Sequence, residues 1–422
     1  MMHPAILQPD TESRSSHLLP GEPVRVAYFV SHPIQYQAPL LRSIAQQPDI
    51  HLTTFFSSDS SVRGYLDKGF GVRVQWDVPL LEGYKYEFLP RIRDTDNPTQ
   101  FAKPINWGIF KRLRRGRFDA AWVFGYDRLL CFQVFFAAKA LGIPVILQGE
   151  SNLGSRKRPL LVRAAKRAMT PVMKSLVDCV VPIGKLNEAY WRFYLGNSFP
   201  MFRMPYSIDN EFFRQRALAA APHREQLRRE LGLEPGRPIV LYASKLQTRK
   251  RCIDLVEAFL RLSPAPGVDP NAHLLIVGDG EERANLEARV RDSGTTSIRF
   301  LGFRNQTELP AIYDLCDLFV LPSIHETWGL IVNELMSVGK PVIVTNRVGC
   351  QPDLVQDGLN GFVFAVGDIE KLSACLRRLI EDKALRESMG ENGRRLIQRY
   401  TYDEDISGLR NALRSCVRRL AS

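Results

Sequence analysis

Two carboxylates eight residues apart, Glu326 and Glu334, flank Gly329 in the stretch DLFVLPSIHETWGLIVNELMSVGKPVIVTN, residues 317–346. Carboxylates accept hydrogen bonds from hydroxyls, and a glycine lets a phosphate approach the backbone. The first amides of a helix add free donors and the positive end of its dipole. LFVLP and PVIVT read as strands buried in a parallel sheet. Between them, residues 328–338 are long enough for a crossover helix, with Gly339 as its C-cap. The resulting βαβ unit puts His325, Glu326 and Thr327 in a loop at a strand's carboxyl end, where open sheets bind ligands. Glu334 follows about two helical turns later and points toward the same end. An anion site flanked by two hydroxyl acceptors suits a nucleotide sugar. The plainer reading makes Glu326 a capping acid and Glu334 a solvated helix residue.

HETWGLIVNE resembles the paired-glutamate signature of retaining glycosyltransferases of the GT-B fold, the family 4-like group 1 enzymes. The resemblance implies an α/β architecture of two Rossmann-like domains facing across a cleft. It also implies transfer of a sugar from a nucleoside diphosphate sugar, with retention of configuration and with neither metal nor cofactor. In that family the first glutamate approaches the sugar hydroxyls, the glycine and the next amides hold the diphosphate, and the second glutamate bonds the ribose diol. These positions are Glu326, then Gly329, Leu330 and Ile331, then Glu334, with Trp328 where Phe is usual. Two basic residues of the family face the diphosphate, usually Arg then Lys. Here they are Lys245 and Lys250, so the first keeps its charge but loses bidentate geometry. Facing Gly329, these cations would stabilise the charge growing on the departing diphosphate; a generic basic loop is the alternative. Gly302-Phe303-Arg304 matches a segment that reads the base edge, which makes Phe303 a donor-binding residue.

These residues need two domains to present them, and 422 residues suffice for two or three. We expect a flexible tail over 1–22, an acceptor-side domain over 23–212, a linker over 213–236, a nucleotide-sugar domain over 237–395, and a last helix over 396–422 crossing back to the first domain. The first strand is VRVAYFV, with Ser31 as N-cap of a helix starting near Pro33. The intervening loop lacks the glycines common in the family and brings His32, Gln35 and Tyr36 to the cleft; His32 is either catalytic or structural. HLTTFFSS, FDAAWVFGYD and IPVILQGES supply further strands. Many relatives carry a histidine where this chain has Gln148-Gly149-Glu150. Glu150 either replaces it near the reacting carbon or caps the next helix. MPYSIDNEFF resembles the end of the family's first domain, and Gly349 and Asp353 continue the pattern in a loop facing the cleft.

Composition narrows the partners. No apolar run approaches the roughly 20 residues of a membrane span, and the first residues do not resemble a secretory signal. Seven dispersed cysteines suggest reduced core thiols in the cytoplasm. The net charge of +12 collects in residues 111–117 and in a run holding Arg156, Lys157, Arg158, Arg163, Lys166, Arg167 and Lys174. Such basic helices suit peripheral contact with an anionic inner membrane face, or are simply solvated. No nucleic-acid-binding signature accompanies the charge. Asp94-Thr95-Asp96 and Asp403-Glu404-Asp405 have the spacing by which another transferase fold holds a divalent cation, but neither sits at a strand end. The expected role is polysaccharide or glycolipid synthesis on a sugar or lipid-linked acceptor. An epimerase on the same fold and a silent binding subunit are the alternatives.

Overall fold

The computed structural model describes residues 22–93, 100–154, 160–265 and 268–417. The expected tail up to residue 21, the Asp94-Thr95-Asp96 pair and Arg156, Lys157 and Arg158 lie outside them.

In chain order the first domain supplies β1 (Val24–Val30), β2 (Ile50–Phe56), an antiparallel hairpin of β3 (Tyr65–Asp67) and β4 (Val72–Val74), and β5 (Lys85–Phe88). A short pair follows, β6 (Arg91–Ile92) and β7 (Ile105–Asn106), then β8 (Ala120–Phe124), β9 (Val145–Gln148) and β10 (Cys179–Val180). The second domain supplies β11 (Ile239–Ala243), β12 (His273–Val277), β13 (Ile298–Gly302), β14 (Leu318–Leu321), β15 (Val342–Thr345) and β16 (Gly361–Phe364). Each domain holds a six-stranded parallel sheet, in the orders β10-β9-β8-β1-β2-β5 and β13-β12-β11-β14-β15-β16. Both sheets therefore reverse winding once, between β1 and β8 and between β11 and β14. A parallel sheet of this winding opens a crevice at the reversal, beyond the strands' carboxyl ends. This is the GT-B arrangement, two Rossmann-like domains facing across a cleft.

Strand composition accounts for the sheets. Every residue of β11, β12, β14 and β15 is buried, as parallel strands covered on both faces require. Each buried Val, Leu or Ile contributes about 1.5–3 kcal/mol. The helix after β1 spans Ala38–Ala45 and begins later than expected from Pro33. Residues 34–37 close a turn first, in which the Ile34 carbonyl accepts from the Gln37 and Ala38 amides at 3.0 Å. Ser31 does not cap this helix; its Oγ lies 2.8 Å from His32 Nδ1.

The passage over 213–236 is largely helical. Asp209 accepts from the Phe212 amide at 2.9 Å and so caps the helix Asn210–Ala220. A second helix, Arg224–Glu230, is tied to the second domain where Arg224 Nε donates to Asp314 at 2.8 Å. The last helix, Tyr402–Cys416, returns to the first domain. Its Ile406, Leu409, Ala412 and Leu413 join the core beneath β1 and β2, and Arg410 pairs with Asp49 at 2.8 Å. Within it Asp405 is buried, so this acid run is helix rather than a cation loop.

Candidate active site

Loops from both reversal points close on a cavity of about 280 Å³. Tyr36, Glu150 and Tyr206 line it from the first domain. Ala243, Ser244, Lys250 and residues 326–331 line it from the second. A larger groove of about 970 Å³ is lined by β2, β5 and the helix Ile109–Gly116 and shares none of these residues.

Lys250 follows β11 and Glu326 follows β14, and the two buried side chains meet as an ion pair. Ser323 Oγ donates to the same Glu326 Oε1 at 2.7 Å, and Thr345 Oγ1 fixes the Ser323 carbonyl at 2.6 Å. Burial pushes the Lys250 amine below its usual range, and Glu326 offsets part of that shift. An ammonium has three donors, so Lys250 keeps donors free for a second anion beside Glu326.

The segment after Glu326 differs from the expected helix over 328–338. The helix covers only Ile331–Ser337, and Gly329, at φ +102°, belongs to the turn before it. Trp328 dives inward instead of starting a helical turn. It is 2 % exposed, and its Nε1 donates to Asn333 at 2.9 Å. Leu330 and Ile331 remain at the cavity wall. Gly339, at φ +74°, ends the helix as expected.

Glu334 sits in this helix but not among the residues lining the cavity; its Oε2 accepts from Tyr313 Oη at 2.5 Å. Burial pushes its carboxyl up to about 7, and the Tyr313 hydrogen bond restrains the rise. Lys245 does not face Gly329 either. Its ammonium reaches across the cleft to Asp67, 2.7 and 2.8 Å from the two carboxylate oxygens. Phe303 also turns to the first domain, its ring centroid 4.9 Å from Phe70 and 6.5 Å from Trp76.

On the acceptor side Glu150 does not cap a helix. Its Oε1 accepts from Tyr36 Oη at 3.2 Å and from Tyr206 Oη. Burial raises the carboxyl, and the two hydroxyls draw it back part of the way. His32 stands apart from the cavity-lining residues, and burial, with Arg128 adding to it, lowers its imidazole to about 4. Asp353 is buried where its loop faces the first domain, and it accepts from the Lys185 amide at 3.0 Å. Lys166, expected on a basic surface, lies within 5.2–6.0 Å of the Tyr126, Tyr190 and Tyr194 ring centroids. Among the described residues no cluster of three metal-ligating side chains occurs.

Sequence reasoning missed Tyr206, Gly184 and Asp67. Tyr206 stands inside MPYSIDNEFF, and its ring meets Trp328 edge to face at 6.1 Å. Gly184 is the floor on which Trp328 rests, since a Cβ there would lie 2.3 Å from the indole. Asp67 begins Asp-Lys-Gly, a turn signal visible in the sequence.

Residues 223–396 match the model of the glycosyl transferases group 1. That match takes in the whole second domain. Among curated relatives, the sulfoquinovosyl transferase SQD2 of Arabidopsis thaliana is 33% identical over 181 residues, 42% of this chain and 33% of that protein. The lipopolysaccharide core biosynthesis glycosyltransferase LpsE of Rhizobium meliloti is 33% identical over 159 residues, 37% of this chain and 43% of that protein. The chain thus spans a third to under a half of the length of these two relatives. The likeness to solved structures extends through both domains: HepE of Anabaena in complex with UDP superposes with a TM-score of 0.68 at 17% identity, over 93% of this chain and 100% of HepE. Among the described residues no helix is long and apolar enough to cross a membrane.

Proposed function

We propose that the chain is a glycosyltransferase that moves a sugar from a nucleoside diphosphate sugar to an acceptor, with retention of configuration and without a metal ion. The observation that carries this reading is the buried Lys250–Glu326 pair beside Gly329, Leu330 and Ile331. A cation, a helix start and a carboxylate then surround one small cavity. Lys250 neutralises charge on the departing diphosphate, and Glu326 orients the sugar at the carbon that reacts. Glu150, on the facing wall, directs the acceptor, while His32 serves the loop fold. Glu334 anchors the ribose from behind Ile331. HepE is known with UDP and with UDP-glucose, which makes UDP-sugars the first donors to try.

The acceptor in this reading is a sugar or lipid-linked glycan at the cytoplasmic face of a membrane. The basic helix Ile109–Gly116 supplies the contact with anionic lipid. The product is a polysaccharide or glycolipid.

Incubation with labelled UDP-sugars and product analysis by NMR tests the proposal. A glycosidic product of unchanged anomeric configuration, formed equally well in EDTA, is the expected result. Loss of activity in EDTA with recovery in manganese overturns metal independence. Epimerised sugar with no glycoside indicates the epimerase reading, and absence of donor turnover indicates a binding subunit. A thermal-shift panel of nucleotide sugars identifies the base, because a ligand that binds only the folded state raises its melting point.

A further inference from the structure

The β3–β4 hairpin belongs to the first domain yet makes its contacts with the donor side of the second. Asp67 holds the Lys245 ammonium through both carboxylate oxygens, and the same ammonium lies 4.7 Å from the Phe70 ring centroid. Two of the three ammonium donors are thereby used, and the ring covers part of what remains. Phe70 and Trp76 enclose Phe303. Beyond the strands, Asn305 Nδ2 donates to the Gln75 carbonyl at 2.7 Å, and the Thr307 amide donates to Asp77 at 3.2 Å. The Gly69 carbonyl packs so tightly on Gly280 that a Cβ there would lie 2.9 Å from it.

Asp67 is built for this contact. It accepts from the Gly69 and Phe70 amides at 2.8 and 3.1 Å, which fixes the carboxylate before any lysine arrives. Burial pushes its carboxyl up, but Lys245 and these amides outweigh burial and hold it below the usual range.

We propose that this hairpin is a wall of the donor pocket in which Asp67 competes with the donor diphosphate for Lys245, while Phe70 and Trp76 shape the seat of the base beside Phe303. The inference rests on the donor reading above and adds three residues and a direction of coupling to it. A diphosphate can take Lys245 only by displacing a carboxylate of like charge, so donor binding and release of the hairpin are one exchange. Ligand affinity is lowered by the work of breaking that pair.

Asp67→Asn and Lys245→Met in the full chain test the exchange, with UDP as probe. Asparagine keeps the acceptor that the turn amides use, so the hairpin still folds. Asp67→Asn is expected to bind UDP at least about threefold tighter in calorimetry, and Lys245→Met several-fold weaker. The double variant is expected to match Lys245→Met, since nothing is left to compete for. Hydrogen exchange over residues 65–77 is expected to accelerate in Lys245→Met with no nucleotide added, and in the parent chain on adding UDP. Weakened UDP binding in Asp67→Asn overturns the competition, and unchanged exchange in Lys245→Met overturns the clamp. Accelerated exchange in Lys245→Met together with no UDP binding by any form removes the competition and the UDP assignment while leaving the clamp standing.

Discussion

Tyr206 of the first domain meets Trp328 of the second edge to face, at 6.1 Å and 88°, while its hydroxyl holds Glu150. Asn333 ties the same pair from behind. It accepts from Trp328 Nε1 and donates to the Tyr206 carbonyl at 3.0 Å. The carboxylate of one wall and the glycine turn of the other are therefore set by one aromatic contact. Tyr206→Phe leaves the ring contact and removes one donor to Glu150. We expect kcat to fall by at least about tenfold with UDP affinity unchanged, because a buried acceptor losing its donor costs about 1–3 kcal/mol. Glu150→Gln is expected to act in the same direction, and normal kcat in both variants would reduce this group to a structural brace.

Glu326→Gln separates chemistry from nucleotide binding. It keeps the shape of the side chain and an acceptor for Ser323 but removes the negative charge. Turnover is expected to drop by at least about 10²-fold while UDP affinity holds, since the lost contact acts at the reacting sugar. Full turnover in steady-state assays would take Glu326 out of the mechanism. Glu326→Ala also leaves Lys250 buried without its partner, and a stability loss of about 3–5 kcal/mol is expected in urea unfolding.

Glu334 gives the fold a pH signature. Its carboxyl stands at about 7 in the folded chain against an ordinary 4.5. The stability drawn from this raised group is complete below 4.5 and is lost as pH rises through about 7. The difference amounts to about 3 kcal/mol. Glu334→Gln, which still accepts from Tyr313, is expected to lose less stability between pH 4.5 and 7.5 than the parent chain. Parallel stability curves for the two proteins would contradict the assignment. Glu334→Ala is further expected to weaken UDP binding, and equal affinity would remove the ribose role.

Gly184→Ala tests the seat of Trp328. The Gly184 backbone is extended, at φ 169°, so alanine meets no torsional penalty there. It meets the indole instead, and overpacking of this kind costs about 1–3 kcal/mol. A lowered melting temperature with shifted tryptophan fluorescence is expected; an unchanged spectrum would mean that the indole yields freely.

The sheets were legible because parallel strands read as short apolar runs, and VRVAYFV, residues 24–30, appears in the structure with the expected limits. The loop carrying Glu326 was legible too, from its place between two such runs. Helix starts were harder. Residues 31–37 and 328–330 each spend several residues in a turn that carries no local helix-breaking signal beyond Pro33 and Gly329. The partners of Lys245 and Glu150 lay out of reach for another reason: Asp67 is 178 residues from Lys245, and Tyr206 is 56 from Glu150. A motif records which residues are near in the chain; the Glu150–Tyr206 pair exists only once the first domain has folded, and the Asp67–Lys245 pair only once the two domains face each other.

The helix Tyr402–Cys416 sets a timetable for synthesis. The layer it adds beneath β1 and β2 comes from beyond the second domain in sequence, so a growing chain carries that apolar surface uncovered while the whole second domain is being made. The domain made first is finished last, and a stop codon before residue 402 damages the half of the molecule farthest from it in sequence.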